Sequence, residues 1–329
     1  MYAISEMLSL YKGQRCHASP TVLHFILPNG RIVGSQYDEL DPETGELVTQ
    51  TLYNCSAPYR DILAVRQDPL NSECGCIILA RRFGNFWLLD GPKITDAQDP
   101  SIMVVDGIPI ITYNKFEMNA LKQIVRVCQY FCLLSTPDIP FAIGQPGEKG
   151  GRLLRRIKGI IPVMGRRQDW PTMRGQLTYT EIHHLSELEG ALREAPIVEG
   201  INDNNAWVGA NQLISLGQNN EYIGVFMHFA ELDASLLSRG IEEKSYFAAA
   251  GVFNRIQRRM VAMEIILDAE DLPFTRITKM AQLRRVIYPG GLCRDRRTAG
   301  GFRMYAGAND YLCFETRVEI KAFSQYAAA

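Results

Sequence analysis

Short apolar runs that reverse at residues able to take a positive φ recur along nearly the whole chain, and this recurrence constrains the fold more than any other feature. In "VLHFILPNGRIVGS" (22–35) two apolar-rich runs flank Pro28, Asn29 and Gly30, and Asn and Gly tolerate the left-handed backbone of a tight hairpin turn. The plan returns in "GCIILARRFGNFWLLDGP" around Gly84 and Asn85, and in "DAQDPSIMVVDGIPIITY" around Asp106 and Gly107. It returns again in "QLISLGQNNEYIGVFMHF" at Gly217 to Asn220 and in "GFRMYAGANDYLCFE" (301–315). Hairpins in series predict antiparallel sheets. Helical periodicity is weak by comparison. "LSELEGALREA" (185–195) is the best candidate, with Ser186 as N-cap and Glu189 three residues on. "MNALKQIVRV" (118–127) stays open between helix and strand. Long helices alternating with strands are absent, which argues against a parallel α/β sheet.

The hairpins continue without a break in composition, so residues 1–329 read as one all-β domain built of similar sheets. The glycine-rich "IGQPGEKGGR" (143–152) reads as a loop on the active face rather than a domain boundary. It is no phosphate-binding P-loop, because Lys149 precedes Gly150 and no Ser or Thr follows. Among closed all-β designs a propeller best hides the sheet edges, and five blades of four strands would use roughly 65 residues each.

A hydrophobic content of 47% and a charged content of 22% suit a chain that buries a sizeable core. With 35 basic and 36 acidic residues the formal charge is -1, which gives no electrostatic reason to seek nucleic acid or an anionic membrane. Basic runs such as "RLLRRIK", "RIQRR" and "RDRR" lack interleaved aromatics, so they read as solvated charge or as a grip for phosphate or another polar ligand. The start "MYAISEMLSLYKGQRCHASP" lacks signal-peptide features, and a cytoplasmic location is the expectation. The 8 cysteines are scattered; neither Cys74 and Cys76 nor Cys128 and Cys132 have zinc-site spacing. They read as reduced core thiols, and neither a metal nor another cofactor is expected. Adjacent His183 and His184 would face opposite sides of a strand.

Asp99 and Pro100 stand directly before an apolar run. Pro100 has no backbone donor and disfavours helix at the residue before it, which predicts an extended Asp99 at the start of a strand. That carboxylate either caps a turn or faces a site. Asn211 and Gln212 precede another strand, with Trp207 offering an aromatic face nearby. His228, in "VFMHF", is either a satisfied core residue or a ligand contact. Tyr113 and Asn114 end the hairpin opposite Asp99.

Taken together, "WVGANQLISLGQNNEYIGVFMHF", "VIYPGGL" and "MYAGAND", preceded by "LYNCSAPYR", "LDGPKITDAQDPSIMVVDG" and "MRGQLTYTEIHHLSELE", resemble one uncharacterised family. It is a domain of unknown function similar to the five-bladed propeller mannoside phosphorylases and hydrolases of the glycoside hydrolase family 130 type. The resemblance covers about residues 51–323 and is strongest over 206–310. It implies a polar pocket on the propeller axis, lined by the inner strand of each blade. It also implies that Asp99 matches the Asp of an Asp-Pro motif that acts as the acid in mannoside-acting relatives.

The chain departs from those relatives at three places. Ser101 stands where the phosphorylases carry Arg, "VRQ" keeps Arg66 but puts Gln67 in place of a carboxylate, and "GGRLLRR" keeps Arg152 without the family's acid. Hydrolysis needs a second carboxylate. Glu73 and Asp310 are the remaining candidates, although Asp310 in "GAND" also reads as a turn residue. Phosphorolysis needs one acid, and Arg66, Arg152, Arg174 or His228 would hold the anion. Asn54, Gln67, Asn211 and Gln212 complete the substrate-binding candidates. Two functions stay open: a glycosidase or glycoside phosphorylase acting on a small carbohydrate, with inorganic phosphate as one acceptor, or a non-catalytic propeller that binds sugar or protein.

Overall fold

The structure is a computed structural model that describes residues 7, 10–11, 19–41, 44–70, 72, 75–119, 124–169, 174–199, 201, 206–217, 221–232, 244–273, 285–295 and 301–327. It is all-β apart from short helical pieces. The turn residues act as their chemistry dictates. Asp106 and Gly107 take φ of 51° and 79° between the antiparallel strands Ala97–Val105 and Ile108–Met118. Asn309 and Asp310 do the same at 53° and 49° between Gly301–Ala308 and Leu312–Glu319.

Five strands each carry a register shift against the antiparallel strand that follows: Leu47–Cys55, Ala97–Val105, Glu148–Leu153, Ala206–Leu216 and Arg285–Arg294. The residues left over at the shifts are Asn54, Asp99 with Pro100, Gly150 with Gly151, Asn211, and Gly290. A bulge breaks the two-residue alternation of side chains and re-aims those beside it. The glycine-rich 143–152 segment, expected to be a loop, is a turn followed by the third of these strands. Its glycines serve the bulge, where Gly150 takes a φ of 63° and a Cβ on Gly151 would lie 2.5 Å from the Phe131 ring.

The core lies between the sheets and follows them in cyclic order. Ala64, Ile77 and Leu79 pack against Ile102, Ile111 and Tyr113. Val105, Ile110 and Phe131 pack against Leu153, Ile161 and Val163. Leu177 and Tyr179 meet Val208, Phe229 and Phe253, and Phe226, Ala248 and Val252 meet Ile287, Met304 and Phe314. The circuit closes where Tyr305 and Cys313 pack on Leu52, Cys55 and Val65. Thr21–Val22 then adds antiparallel to Leu312–Glu319 and covers that strand's edge.

The helix expected at 185–195 is a 3-10 turn, Leu185–Glu187, running into the α-helix Leu188–Glu194. Its expected Ser186 cap does not form. Glu189 instead accepts the backbone N–H of Ile143, tying the helix to a neighbouring sheet at 2.7 Å. The ambiguous 118–127 segment is strand at both described ends, with 120–123 outside the described residues. Among the described residues no helix is long and apolar enough to cross a membrane.

Candidate functional site

The bulges put unusual backbone beneath polar side chains. Asn54 and Asp99 take φ of 52° and 56°, so the expectation of an extended Asp99 is overturned. The extra residues Asp99 and Pro100 must be absorbed opposite a partner strand that advances by fewer, and the left-handed region accommodates this. Proline disfavours the right-handed helical region for its predecessor, whereas a short polar side chain such as Asp tolerates the left-handed one. Such backbone costs of order 1–3 kcal/mol for a residue other than Gly and marks places the surrounding structure holds firmly. The Asp99 carboxylate stays partly exposed, accepts a hydrogen bond from Asn114 Nδ2 at 3.0 Å, and has Arg66 Nη1 3.7 Å away.

Arg66 is fixed from two sides. Its Nε and Nη2 donate to the two oxygens of Asp68 at 3.0 and 2.7 Å, and Tyr53 also donates its hydroxyl to Asp68 at 2.6 Å. The guanidinium lies 4.8 Å from the centre of the Tyr53 ring. Burial opposes its charge, but Tyr53, Asp68 and Asp99 outweigh that and hold it more firmly protonated than usual.

Arg152 is different, being 2% exposed and bonded entirely to neutral acceptors. Nε donates to the Asn211 carbonyl at 2.8 Å, and Nη1 donates to the Gly151 carbonyl at 2.9 Å and Thr112 Oγ1 at 3.2 Å. Among the described residues it has no ion-pair partner. Burial lowers its pKa, while Tyr288 and Asp99 act in the opposite sense. A buried guanidinium answered only by dipoles has an uncompensated field that an anion would relieve.

Arg166, which the sequence reading passed over, completes the group. Its Nη1 lies 2.8 Å from His228 Nε2. Arginine can only donate, so Nε2 accepts and the imidazole proton sits on Nδ1, 2.9 Å from Asn211 Oδ1. The same oxygen accepts the His228 backbone N–H at 2.9 Å. Both ring nitrogens are therefore committed within the protein. Burial, then Arg166 and Arg152, push the His228 pKa well down, which keeps the ring neutral. Tyr288 stacks on it at 5.6 Å. Two glycines make room for the pair: a Cβ on Gly175 would lie 2.2 Å from Arg166 Cδ, and one on Gly209 would lie 2.3 Å from His228 Cε1. Arg166 Nε is buried with no hydrogen-bond partner among the described residues.

Asp99, Arg66, Arg152, Arg166 and Tyr288 lie within electrostatic reach of one another, since all four charged groups bear on the Tyr288 hydroxyl. Burial and Asp99 raise its pKa, against the pull of the three arginines. Asn211 joins them by holding His228. Other expected residues lie apart. Gln67 follows Arg66 on the same strand and so points the other way, donating to the Tyr37 hydroxyl at 2.9 Å and to Glu39 at 3.2 Å. Gln212 spans two bulged strands, donating to the Leu292 carbonyl at 3.1 Å and accepting its N–H at 2.5 Å. Asp310 sits in its hairpin turn and accepts from Asn54 Nδ2 at 3.5 Å. Ser101 donates to the Asn211 carbonyl at 3.3 Å, the acceptor Arg152 also uses. Trp207 packs edge-on against Tyr246. Glu73 and the Arg174 side chain lie outside the described residues.

The fold has solved counterparts. A mannose phosphorylase from Leishmania mexicana, solved with a phosphate ion, superposes with a TM-score of 0.78 at 16% identity, over 99% of this chain and 95% of that one. A GDP-Man-dependent mannosyltransferase from the same organism gives 0.77 at 15% identity, over 97% and 94%. A β-1,2-mannobiose phosphorylase from Listeria innocua, in complex with β-1,2-mannobiose, gives 0.52 at 11% identity, over 85% and 87%. No curated protein matches the chain. The sequence pattern of one family, described as a protein of unknown function, matches residues 46–323.

Proposed function

The chain belongs to the DUF1861 family, and on that premise we propose that it is a five-bladed propeller over residues 1–329 that cleaves a small β-linked mannoside by phosphorolysis. One observation carries the reading: a single partly exposed carboxylate, Asp99, stands among three arginines. Two of these, Arg152 and Arg166, have no carboxylate partner among the described residues.

In this reading Asp99 gives its proton to the departing glycosidic oxygen while Asn114 holds the carboxyl in place. Phosphate, drawn to Arg152 and Arg166, attacks the anomeric carbon as the bond to the leaving oxygen breaks, giving a sugar 1-phosphate and the freed alcohol. Because phosphate is the nucleophile, no second carboxylate is required. His228 serves by aiming Arg166, since its own nitrogens are taken. Asn211 contributes through its hold on His228, and Asn54 through its bond to Asp310. The phosphate ion and mannobiose bound in solved counterparts support the substrate class.

A non-catalytic sugar-binding propeller is the second reading, favoured by Ser101 in the phosphorylase arginine's position and by Gln67 facing away. Incubation with β-1,2-mannobiose and inorganic phosphate decides between them. Phosphate-dependent release of mannose 1-phosphate, falling at least a hundredfold in Asp99→Asn, is expected. Turnover that ignores phosphate overturns phosphorolysis, and unchanged turnover in Asp99→Asn removes Asp99 from the chemistry. Sugar binding without turnover would leave the second reading standing.

A further inference from the structure

A cavity lies beyond the bulges, toward the C-terminal ends of the same five strands. It has a volume of about 510 Å³, and each run contributes the residues that follow its bulge: Pro58 after Asn54, Ile102 after Asp99, Arg155 after Gly150, Leu213 after Asn211 and Arg294 after Gly290. Asp99, Asn114, His228 and Tyr288 do not line it. Ser101, Arg152 and Gln212 do, and they form the layer shared with the first site. Gln212 stiffens that layer through its paired bonds to Leu292.

We propose that this cavity is a ligand site of its own, taking a small organic anion with an apolar body, of the aryl phosphate class. Its size falls in the range of small-molecule pockets. Ile102, Leu213, Leu292 and Phe302 give it an apolar wall. Arg155 and Arg294 belong to its lining and are exposed residues, and neither has an ion-pair partner among the described residues. Among the described residues no Asp or Glu lines the cavity, so no described carboxylate in its wall opposes a negative charge. An apolar wall with Arg155 and Arg294 in its lining fits a ring or short chain that carries a phosphate, and among the described residues it offers a cation no charged partner.

The proposal does not depend on the reading of the first site; Arg152 is common to both, so the test varies residues that belong to one site alone. Phenyl phosphate and inorganic phosphate are titrated calorimetrically into the wild type, an Arg166→Met variant that removes from the first site one of its two phosphate-drawing arginines and the one that does not line this cavity, and an Arg155→Ala/Arg294→Ala variant. Phenyl phosphate is expected to bind one to one in Arg166→Met, about tenfold more tightly than phosphate alone, from burial of the ring. It is expected to weaken at least tenfold in the double variant. Because both arginines are exposed, their loss leaves the fold intact. Val104→Glu, which places a carboxylate in the cavity wall, should weaken binding as well. Binding lost in Arg166→Met, binding unaffected by the double variant, or phenyl phosphate no tighter than phosphate would each overturn the assignment.

Discussion

His228 and Asp99 show what a residue's type discloses and what it hides. From "VFMHF" alone the imidazole could be a core residue or an anion holder; the sequence gives no sign that Arg166, from a different sheet, and Asn211 engage its two ring nitrogens. Arg166 itself was illegible because nothing in "GRRQD" points inward until Gly175 and Gly209 are seen to clear a slot for it. Asp99 was legible as a carboxylate at the start of a strand, but Pro100 argued for an extended backbone that the bulge overrides. The depressed pKa of His228 has a consequence for stability. Below its ordinary pKa of 6.5 the unfolded chain binds a proton that the folded chain refuses. Stability present above that pH is therefore lost as the pH falls, by about 1 kcal/mol between 6.5 and 5.5. Urea midpoints measured at pH 7.5 and 5.5 should separate less in His228→Gln than in the wild type. Equal separation would mean the ring is not held neutral.

At the level of the strand, turn chemistry was readable and bulge chemistry was not. Asp106-Gly107 and Asn309-Asp310 announce their turns because few residues accept the backbone they need. The bulges use Asn, Asp-Pro, Gly-Gly and a lone Gly to the same end, so no shared motif exposes them. Alternation on a strand would have separated Gln67 from Arg66, given the register. The closest approach is at Gly290, where a Cβ would lie 1.5 Å from the Cys55 carbonyl oxygen of the neighbouring bulged strand. Gly290→Ala should therefore cost more than about 3 kcal/mol, because backbone must move. Gly34→Ala meets nothing within 4 Å and should leave the melting temperature unchanged within a degree or two. Thermal melts of the two variants side by side check the contrast.

Across the whole molecule the sheets form a closed circuit whose last joint unites residues far apart in the chain, as in Cys55 against Ala306 and Asn54 against Asp310. Thr21–Val22 completes that joint by pairing with Leu312–Glu319, and Leu23 N–H adds a bond to the Cys313 carbonyl at 2.9 Å. Removing residues 1–24 should bare the edge of Leu312–Glu319 and drive association, visible as an increase in light scattering at concentrations where the full chain stays monodisperse. The spacing also imposes an order in time. On a ribosome adding roughly 5–20 residues per second, Ala306 and Asp310 emerge on the order of 10–50 seconds after Asn54 and Cys55. For that interval the flank of the first sheet formed by Leu52 and Val65 lacks the cover Tyr305 and Cys313 later give it. The nascent chain must keep this flank from other partners until its own last sheet arrives.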